Sequence, residues 1–159
     1  MVVRQTNDGV GVGSKAPDFT LPSQSGEMMS LKDFLGEKVV ILYFYPKDDT
    51  PGCTKEACAF RDEHEEFGKL DAEVIGVSSD SVESHRRFAE KHDLSFTLLS
   101  DEGGKVRKLY GVSNTFGIFP GRVTYVIDEA GVVRHVFSSQ IGAVKHVEGA
   151  LKSLAAIRS

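Results

Sequence analysis

Cysteine is scarce in this chain, which has only Cys53 and Cys58 among its 159 residues. A small disulfide-stapled domain uses many more cysteines, and a structural zinc site usually needs four cysteine or histidine ligands at clustered spacings. Two cysteines five positions apart satisfy neither pattern. We therefore expect neither a disulfide scaffold nor a metal site.

An excess of positive charge and a long apolar run are also missing. The 19 lysines and arginines are outnumbered by 23 aspartates and glutamates, which gives a formal net charge of -4. Proteins whose main partner is nucleic acid usually carry a basic face. No stretch approaches the roughly 20 apolar residues of a membrane helix, and the first residues lack the apolar run of a secretory signal. We expect no nucleic-acid partner and no membrane span.

Repeats, low-complexity tracts and long linkers are absent as well, so nothing in the sequence divides the chain. The glycine-rich segment 6–13 predicts a loose lead-in, and it lacks the preceding strand and following helix of a dinucleotide-binding motif. The hydrophobic fraction of 40% is sufficient for one core. We expect a flexible lead-in at residues 1–12 and a single domain at residues 13–159.

Apolar periodicity predicts strands that alternate with helices. Residues 38–45 form a nearly continuous apolar run, which is typical of a strand buried on both faces. The same patterns predict strands at 73–78 and 96–100, helices at 53–70, 82–92, 105–110 and 144–157, and hairpins at 18–31 and 122–138. This order predicts an α/β protein with a central mixed β-sheet flanked by helices and an N-terminal hairpin. With a reactive residue after the first long strand, that arrangement is the thioredoxin-like fold.

The segment of residues 43–58 holds both cysteines and is the most informative part of the chain. It reads as a buried strand, a turn rich in proline, aspartate and glycine, and the beginning of a helix. This order places Cys53 at a helix N-terminus, where unpaired N–H groups and the helix dipole favour negative charge. A thiolate, the nucleophilic form of cysteine, is favoured at such a position.

A cysteine that reduces peroxides needs donors that stabilise the thiolate and also hold the polarised O–O bond. Thr50, three residues before Cys53, offers a hydroxyl, and Pro46 is placed to shield the site from water. A permanent positive charge is required too, and arginine suits this role because its guanidinium presents several donors in a fixed fork. Arg122, at the start of a predicted strand, is the candidate, because Arg61 lies about 12 Å along the helix from the cysteine.

Histidine, the base that a cysteine hydrolase would need, has no suitable position in the sequence. His64 lies about 16 Å along the predicted helix from the first cysteine. His135 and His146 have no motif around them. His85 and His92 fall in a charged helical stretch, so we expect them on the surface.

Two other classes of protein remain open from the residues alone. A general thiol–disulfide oxidoreductase would share the fold, but it normally carries Cys-x-x-Cys, and the spacing here is wider. A redox-sensing or chaperone-like interaction protein would use a disulfide to switch a surface. The rate at which the reduced protein consumes hydrogen peroxide separates both classes from a peroxidase.

The segment Pro46-Lys-Asp-Asp-Thr50-Pro-Gly-Cys53 resembles the Pro-x-x-x-Thr-x-x-Cys signature of peroxiredoxins. The residues that follow, through Cys58, resemble the peroxiredoxin Q branch, also called bacterioferritin comigratory protein, and the similarity covers nearly the whole chain. The resemblance implies a thioredoxin-dependent peroxidase acting on hydrogen peroxide and organic hydroperoxides. It also implies that Cys53 is the peroxidatic cysteine, that Cys58 resolves it as an intramolecular disulfide, and that Thr50, Pro46 and Arg122 complete the site.

The same resemblance implies that no metal or organic cofactor is required, that thioredoxin or a related dithiol is the reductant, and that the protein is a monomer. A bacterial cytoplasm is the first expectation for its location, and a plastid is the second. The loop residues Phe116, Ile118 and Phe119 are candidates for an apolar rim suited to organic hydroperoxides.

The spacing of the two cysteines conflicts with a helix that carries both. Five residues of ideal helix separate two Cα atoms by roughly 8.7 Å, whereas a disulfide rarely tolerates more than about 7 Å. We therefore predict that the first helical turns unwind after Cys53 is oxidised to sulfenic acid, so that Cys58 can reach it.

Overall fold

The computed structural model describes residues 10–112, 114–115, 119–120, 122–138 and 143–158. Its strands are β1 (Thr20–Pro22), β2 (Met28–Ser30), β3 (Val39–Phe44), β4 (Ala72–Ser78), β5 (Thr97–Ser100), β6 (Asn114–Thr115), β7 (Phe119–Pro120), β8 (Val123–Ile127) and β9 (Val133–Ser138). Its α-helices are α1 (Pro51–Asp62), α2 (His64–Lys69), α3 (Val82–Lys91), α4 (Lys105–Tyr110) and α5 (Ala143–Arg158).

Five strands form the central sheet in the order β5-β4-β3-β8-β9. The middle strand, β3, is parallel to β4 and antiparallel to β8, so the sheet is mixed. All six residues of β3 are buried, as expected of a strand covered on both faces. β1 and β2 form a separate antiparallel hairpin. The predicted α/β fold, with a central mixed sheet, flanking helices and an N-terminal hairpin, is confirmed.

Alternate residues of β3 contribute to two hydrophobic cores. Ile41 and Tyr43 pack with residues of α1, α2, α3 and α5 on one face of the sheet. Leu42 and Phe44 pack on the other face, with α4 and the segment around β1 and β2. Because side chains alternate along a strand, the strand that leads to Cys53 is held from both sides. No helix among the described residues is long and apolar enough to cross a membrane.

The long helix predicted for residues 53–70 is two helices. The first begins at Pro51, which occupies the first helical position, and ends at Asp62. Glu63, with φ of -99° and ψ of 10°, interrupts the helix before α2 begins at His64. The prediction therefore missed both the early start, which proline favours at this position, and the interruption.

Candidate active site

The turn between β3 and α1 brings Cys53 to the end of the central strand. Thr50 has an extended backbone with φ of -93° and ψ of 155°, and Pro51 and Gly52 open the helix. Cys53 is therefore the third helical residue, where the backbone N–H groups have no intrahelical acceptor. Its side chain is almost fully buried, with 1% of the residue exposed. The positive end of the helix dipole therefore lies next to the sulfur.

Arg122 reaches the cysteine from the neighbouring strand. It immediately precedes β8, which pairs with β3, and it is buried. Its Nη2 atom lies 3.5 Å from the Sγ atom of Cys53, and its Nη1 atom donates to Oε1 of Glu56 at 2.5 Å. A methyl group on Gly52 would lie 3.0 Å from Nη2. The absence of a side chain at residue 52 thus leaves room for the guanidinium beside the sulfur.

Glu56 is a site residue that the sequence did not reveal. It lies one helical turn after Cys53, on the same side of α1, and it is fully buried. Burial raises the pKa of its carboxyl group from 4.5 to about 7, although the Arg122 guanidinium opposes the shift. The spacing of three residues from the cysteine was the available signal, because residues i and i+3 share a helix face.

His146, which had no motif context in the sequence, lies behind this glutamate. It is buried, and its Nδ1 atom is 2.8 Å from the hydroxyl of Thr124. The same atom lies 3.8 Å from Oε2 of Glu56, which has no hydrogen-bond partner among the residues that the structure describes. The last helix therefore contributes a polar side chain to the environment of the Arg122–Glu56 pair.

Thr50 and Pro46 both lie on the turn that leads into the cysteine helix. The hydroxyl of Thr50 donates to the carbonyl oxygen of Lys47 at 3.1 Å and does not cap the helix. Its oxygen therefore keeps lone pairs that can accept a hydrogen bond. Pro46 is half-buried.

Cys58 lies on the same helix as Cys53 and is half-buried, and both thiols are free. The helix is continuous from Pro51 to Asp62. The two cysteines are therefore held five residues apart on an intact helix, the arrangement that forbids a disulfide between them.

The prediction that His85 lies on the surface is wrong. The residue is fully buried, and its Nδ1 atom is 2.7 Å from Oδ2 of Asp48, on the turn before Thr50. The charged neighbours in the sequence point to the opposite side of α3, whereas His85 shares a face with Phe88, three residues later and also buried.

Ligand atoms of Asp48, Asp80 and His85 lie within 4.8 Å of one another. Each of these side chains is already engaged in hydrogen bonds. Asp48 contacts His85, and Asp80 accepts from the hydroxyl of Ser78 at 2.7 Å. These bonds explain the cluster without a metal ion.

The proposed apolar rim falls largely on residues that the structure does not describe. Phe116 and Ile118 lie outside the described residues, and so does the side chain of Phe119. Nothing in the site geometry above depends on them.

Comparison with known proteins gives one consistent family. Residues 12–136 match the AhpC/TSA family. The chain is 56% identical over 147 residues to a protein of Sedum lineare described as "Peroxiredoxin Q, chloroplastic", covering 92% of this chain and 78% of that protein. Across the curated relatives of similar identity, the chain spans between 66% and 78% of their lengths.

Solved structures give the same result. The peroxidoxin BcpB of Mycobacterium tuberculosis has a TM-score of 0.88 and 40% identity, covering 94% of this chain and 99% of that chain. The bacterioferritin comigratory protein of Xanthomonas campestris, whose description names alkyl peroxide reduction activity, has a TM-score of 0.81 and 31% identity. The match covers 89% of this chain and 92% of the Xanthomonas campestris chain.

The expectation of a bacterial cytoplasm is contradicted by these relatives. Eight curated relatives with 52–56% identity are all described as chloroplastic. They point to a plastid, even though the similar solved structures include bacterial proteins. Family match, overall similarity and structural similarity all agree that the chain belongs to the AhpC/TSA family, in its peroxiredoxin Q branch.

Proposed function

We propose that the protein is a thioredoxin-dependent peroxidase that reduces hydrogen peroxide and organic hydroperoxides through Cys53. The observation that carries this proposal is the position of the sulfur. It lies in the first turn of α1 and 3.5 Å from a guanidinium nitrogen of Arg122. The helix N-terminus and the cation together favour the thiolate and the negative charge that develops when an O–O bond breaks.

In the first step the Cys53 thiolate attacks the terminal oxygen of the peroxide. A sulfur–oxygen bond forms as the O–O bond breaks, so the sulfur is oxidised to sulfenic acid and the peroxide is reduced. The other oxygen leaves as hydroxide or alkoxide and takes up a proton to give water or an alcohol. Arg122 offers fixed donors beside the sulfur for the charge on that leaving oxygen, because Glu56 holds its Nη1 atom at 2.5 Å.

Thr50 and Pro46 support the same step from the turn. The Thr50 hydroxyl gives its own hydrogen to Lys47, so its oxygen is free to accept a hydrogen bond from the O–H of the incoming peroxide. Pro46 has no N–H group and is half-buried, so it limits the access of water without offering a competing donor.

Cys58 resolves the sulfenic acid in the second step. Its thiol attacks the oxidised sulfur of Cys53, a disulfide forms, and the sulfenic oxygen leaves as water. This bond requires the first turns of α1 to unwind, because both cysteines lie on one intact helix. Unwinding also removes Glu56 from its buried position, since it lies between the two cysteines.

Thioredoxin or a related dithiol then reduces the disulfide by thiol–disulfide exchange, because the chain has no third cysteine. The names of the peroxiredoxin Q relatives support peroxide as the oxidant.

We also propose that residues 13–159 act as one unit, that the protein works as a monomer, and that nucleic acid is not a partner, in keeping with the net charge of -4.

The experiment that tests the proposal measures hydrogen peroxide consumption by the pre-reduced protein after rapid mixing. Free thiols react slowly, so the wild-type protein should consume one equivalent at least about a thousandfold faster than free cysteine, the scale expected of a preorganised site. Cys53→Ser should abolish the fast reaction. A wild-type rate equal to that of free cysteine would overturn the proposal and favour an oxidoreductase or sensor.

A further inference from the structure

The turn of residues 46–50 carries two of the proposed site residues, and one of its own side chains, the buried Asp48, fixes it to the rest of the molecule. The carboxylate of Asp48 accepts hydrogen bonds from the hydroxyl of Tyr45 at 2.6 Å and the hydroxyl of Ser84 at 2.8 Å, and it contacts Nδ1 of His85 at 2.7 Å. The backbone N–H of Asp48 donates to Oδ2 of Asp80 at 2.8 Å. Asp48 therefore ties the turn to α3 and to the segment that follows β4.

The contact between Asp48 and His85 contains one proton. The Nε2 atom of His85 lies 3.0 Å from the carbonyl oxygen of Leu99. A carbonyl oxygen only accepts, so Nε2 carries a hydrogen. On the other side of the ring, Nδ1 faces a carboxylate oxygen, and two acceptors at 2.7 Å would repel each other unless a proton lies between them. The link is thus a buried hydrogen bond, shielded from competition with water.

The backbone beyond Asp48 needs such an anchor. Asp49 has φ of +64°, in the left-handed region that residues other than glycine seldom occupy. Its exposed side chain lies 3.2 Å from Nζ of Lys91, which is also exposed, and 3.5 Å from Nε2 of His92, an atom that is itself buried. The hydrogen bonds of the neighbouring Asp48 help to hold this conformation.

The anchor acts on Thr50 through the residue next to it. Lys47, which precedes Asp48, supplies the carbonyl oxygen that takes the Thr50 hydroxyl hydrogen. The direction of this carbonyl is set by the turn that Asp48 holds. If the turn shifts, the Thr50 hydroxyl loses its bond to the Lys47 carbonyl oxygen. The freed hydroxyl hydrogen can then point towards the substrate and occupy the space that the O–H group of the peroxide needs.

We propose that Asp48 and His85 are positioning residues for peroxide reduction, which hold the turn so that Thr50 presents its oxygen to the substrate. The inference rests on the proposed function. It adds that His85, on α3, helps to fix the position of Thr50 for that reaction. Asp48 and His85 both lie outside α1, the helix that must unwind for closure, so their effect is on the first oxidation and not on the closure of the disulfide.

Two substitutions at residue 85 separate the contact with Asp48 from the contact with Leu99. The amide of asparagine reaches the position of Nδ1, and the longer amide of glutamine reaches that of Nε2. His85→Asn therefore keeps a donor for the carboxylate, and His85→Gln keeps a donor for the carbonyl. Loss of either contact is a comparable packing change, so a purely structural role would give the two variants similar rates.

Each pre-reduced variant is mixed with one equivalent of hydrogen peroxide, quenched at intervals and alkylated, and the two cysteines are followed by mass spectrometry. We expect His85→Gln to oxidise Cys53 about 10- to 100-fold more slowly than the wild type. His85→Asn should stay within about threefold, and both should form the disulfide at the wild-type rate. His64→Gln, at an exposed position on α2, is the control and should behave as the wild type.

Equal oxidation rates in the two variants, whether fast or slow, would overturn the inference. Asp48→Asn supplies a second test if His85→Gln does not fold, judged by its thermal denaturation, and it should show the same slow oxidation. A wild-type protein that reacts no faster than free cysteine would instead overturn the proposed function, so the two failures are distinguished by the wild-type rate.

Discussion

Two buried acid–base pairs belong to the site, and they differ in which elements carry them. Arg122 comes from the sheet, but its partner Glu56 lies on α1, between the two cysteines. Asp48 and His85 both lie outside α1, on the preceding turn and on α3. Closing the disulfide must therefore break the first pair and can leave the second in place. One pair can respond to the redox state, while the other maintains the turn through the cycle.

The largest expected effect comes from removing the cation of the first pair. Arg122→Ala should slow the oxidation of Cys53 about 10²- to 10³-fold, the usual loss when a donor that stabilises the transition state is removed. Arg122→Lys should recover part of the rate, because it restores charge but not the fork. The measurement is peroxide consumption by pre-reduced protein.

Arg87→Ala removes an exposed arginine of α3 and is the matched control. It should react as fast as the wild type. If Arg122→Ala reacts within a few-fold of this control, the guanidinium beside the sulfur does not contribute to peroxide reduction.

The acid of the first pair gives the next largest effect, on stability as a function of pH. The pKa of Glu56 is raised in the folded state to about 7 from 4.5, which corresponds to roughly 3 kcal/mol of free energy. A raised pKa gives a stabilising contribution that is present below pH 4.5 and is lost as pH rises through 7. When the pH rises from 5 to 8, the free energy of unfolding of Glu56→Gln, measured relative to that of the parent protein, should therefore increase by up to roughly 3 kcal/mol.

Urea denaturation at pH 5 and pH 8 checks this in a cysteine-free background, Cys53→Ser with Cys58→Ser, which removes thiol ionisation and oxidation. Glu63→Gln, at the half-buried helix interruption, is a control that should show little change between the two pH values. A Glu56→Gln difference that is the same at both would mean that the buried carboxylate does not oppose the folded helix at neutral pH.

Hydrogen exchange tests directly whether oxidation disrupts the Arg122–Glu56 pair and leaves the Asp48–His85 pair in place. One equivalent of hydrogen peroxide should raise amide exchange in residues 52–60 by at least about tenfold, because local opening exposes these N–H groups. The exchange of α3, which carries His85, should remain unchanged. Cys58→Ser cannot close the disulfide and should keep residues 52–60 protected after the same treatment. Equal protection of those residues in reduced and oxidised wild type would rule out the unwinding.

The smallest effect concerns the space beside the guanidinium. Gly52→Ala places a methyl group 3.0 Å from Nη2 of Arg122, so the guanidinium must shift by a few tenths of an ångström. We expect the oxidation of Cys53 to slow by about two- to fivefold, a small misplacement of a catalytic donor. Gly68→Ala, on α2 with open space around the added methyl group, should have no effect. Faster oxidation in Gly52→Ala would indicate that the guanidinium is too close in the wild type.

The sequence was informative where chemistry is concentrated in consecutive residues. The turn of residues 46–53 predicted a strand, a turn and a helix N-terminus, and the continuous apolar run before it predicted the buried central strand. Arg122 could be nominated because it opens a strand. These inferences use local rules, in which neighbours in sequence are neighbours in space.

The sequence failed where burial is decided by distant elements. Glu56 is itself a charged residue and His85 lies among charged residues, and both features normally indicate a solvated helix face. Their burial follows from what α1 and α3 pack against, which no local pattern reports. The helical spacings from Cys53 to Glu56 and from His85 to Phe88 held the information, but only if the buried side of each helix is known first. The cellular compartment is not encoded in these physical patterns at all.

The interruption at Glu63 has a consequence for how far a rearrangement can spread. A continuous helix transmits a change of winding along its axis, because each turn is bonded to the next. Here the rod is split, and α2 is fastened to the sheet by its own aromatic side chain, Phe67. We therefore expect redox-driven unfolding to stop at Glu63. It would be confined to α1, which carries both cysteines, while α2 stays folded and α1 re-forms next to it when the disulfide is reduced.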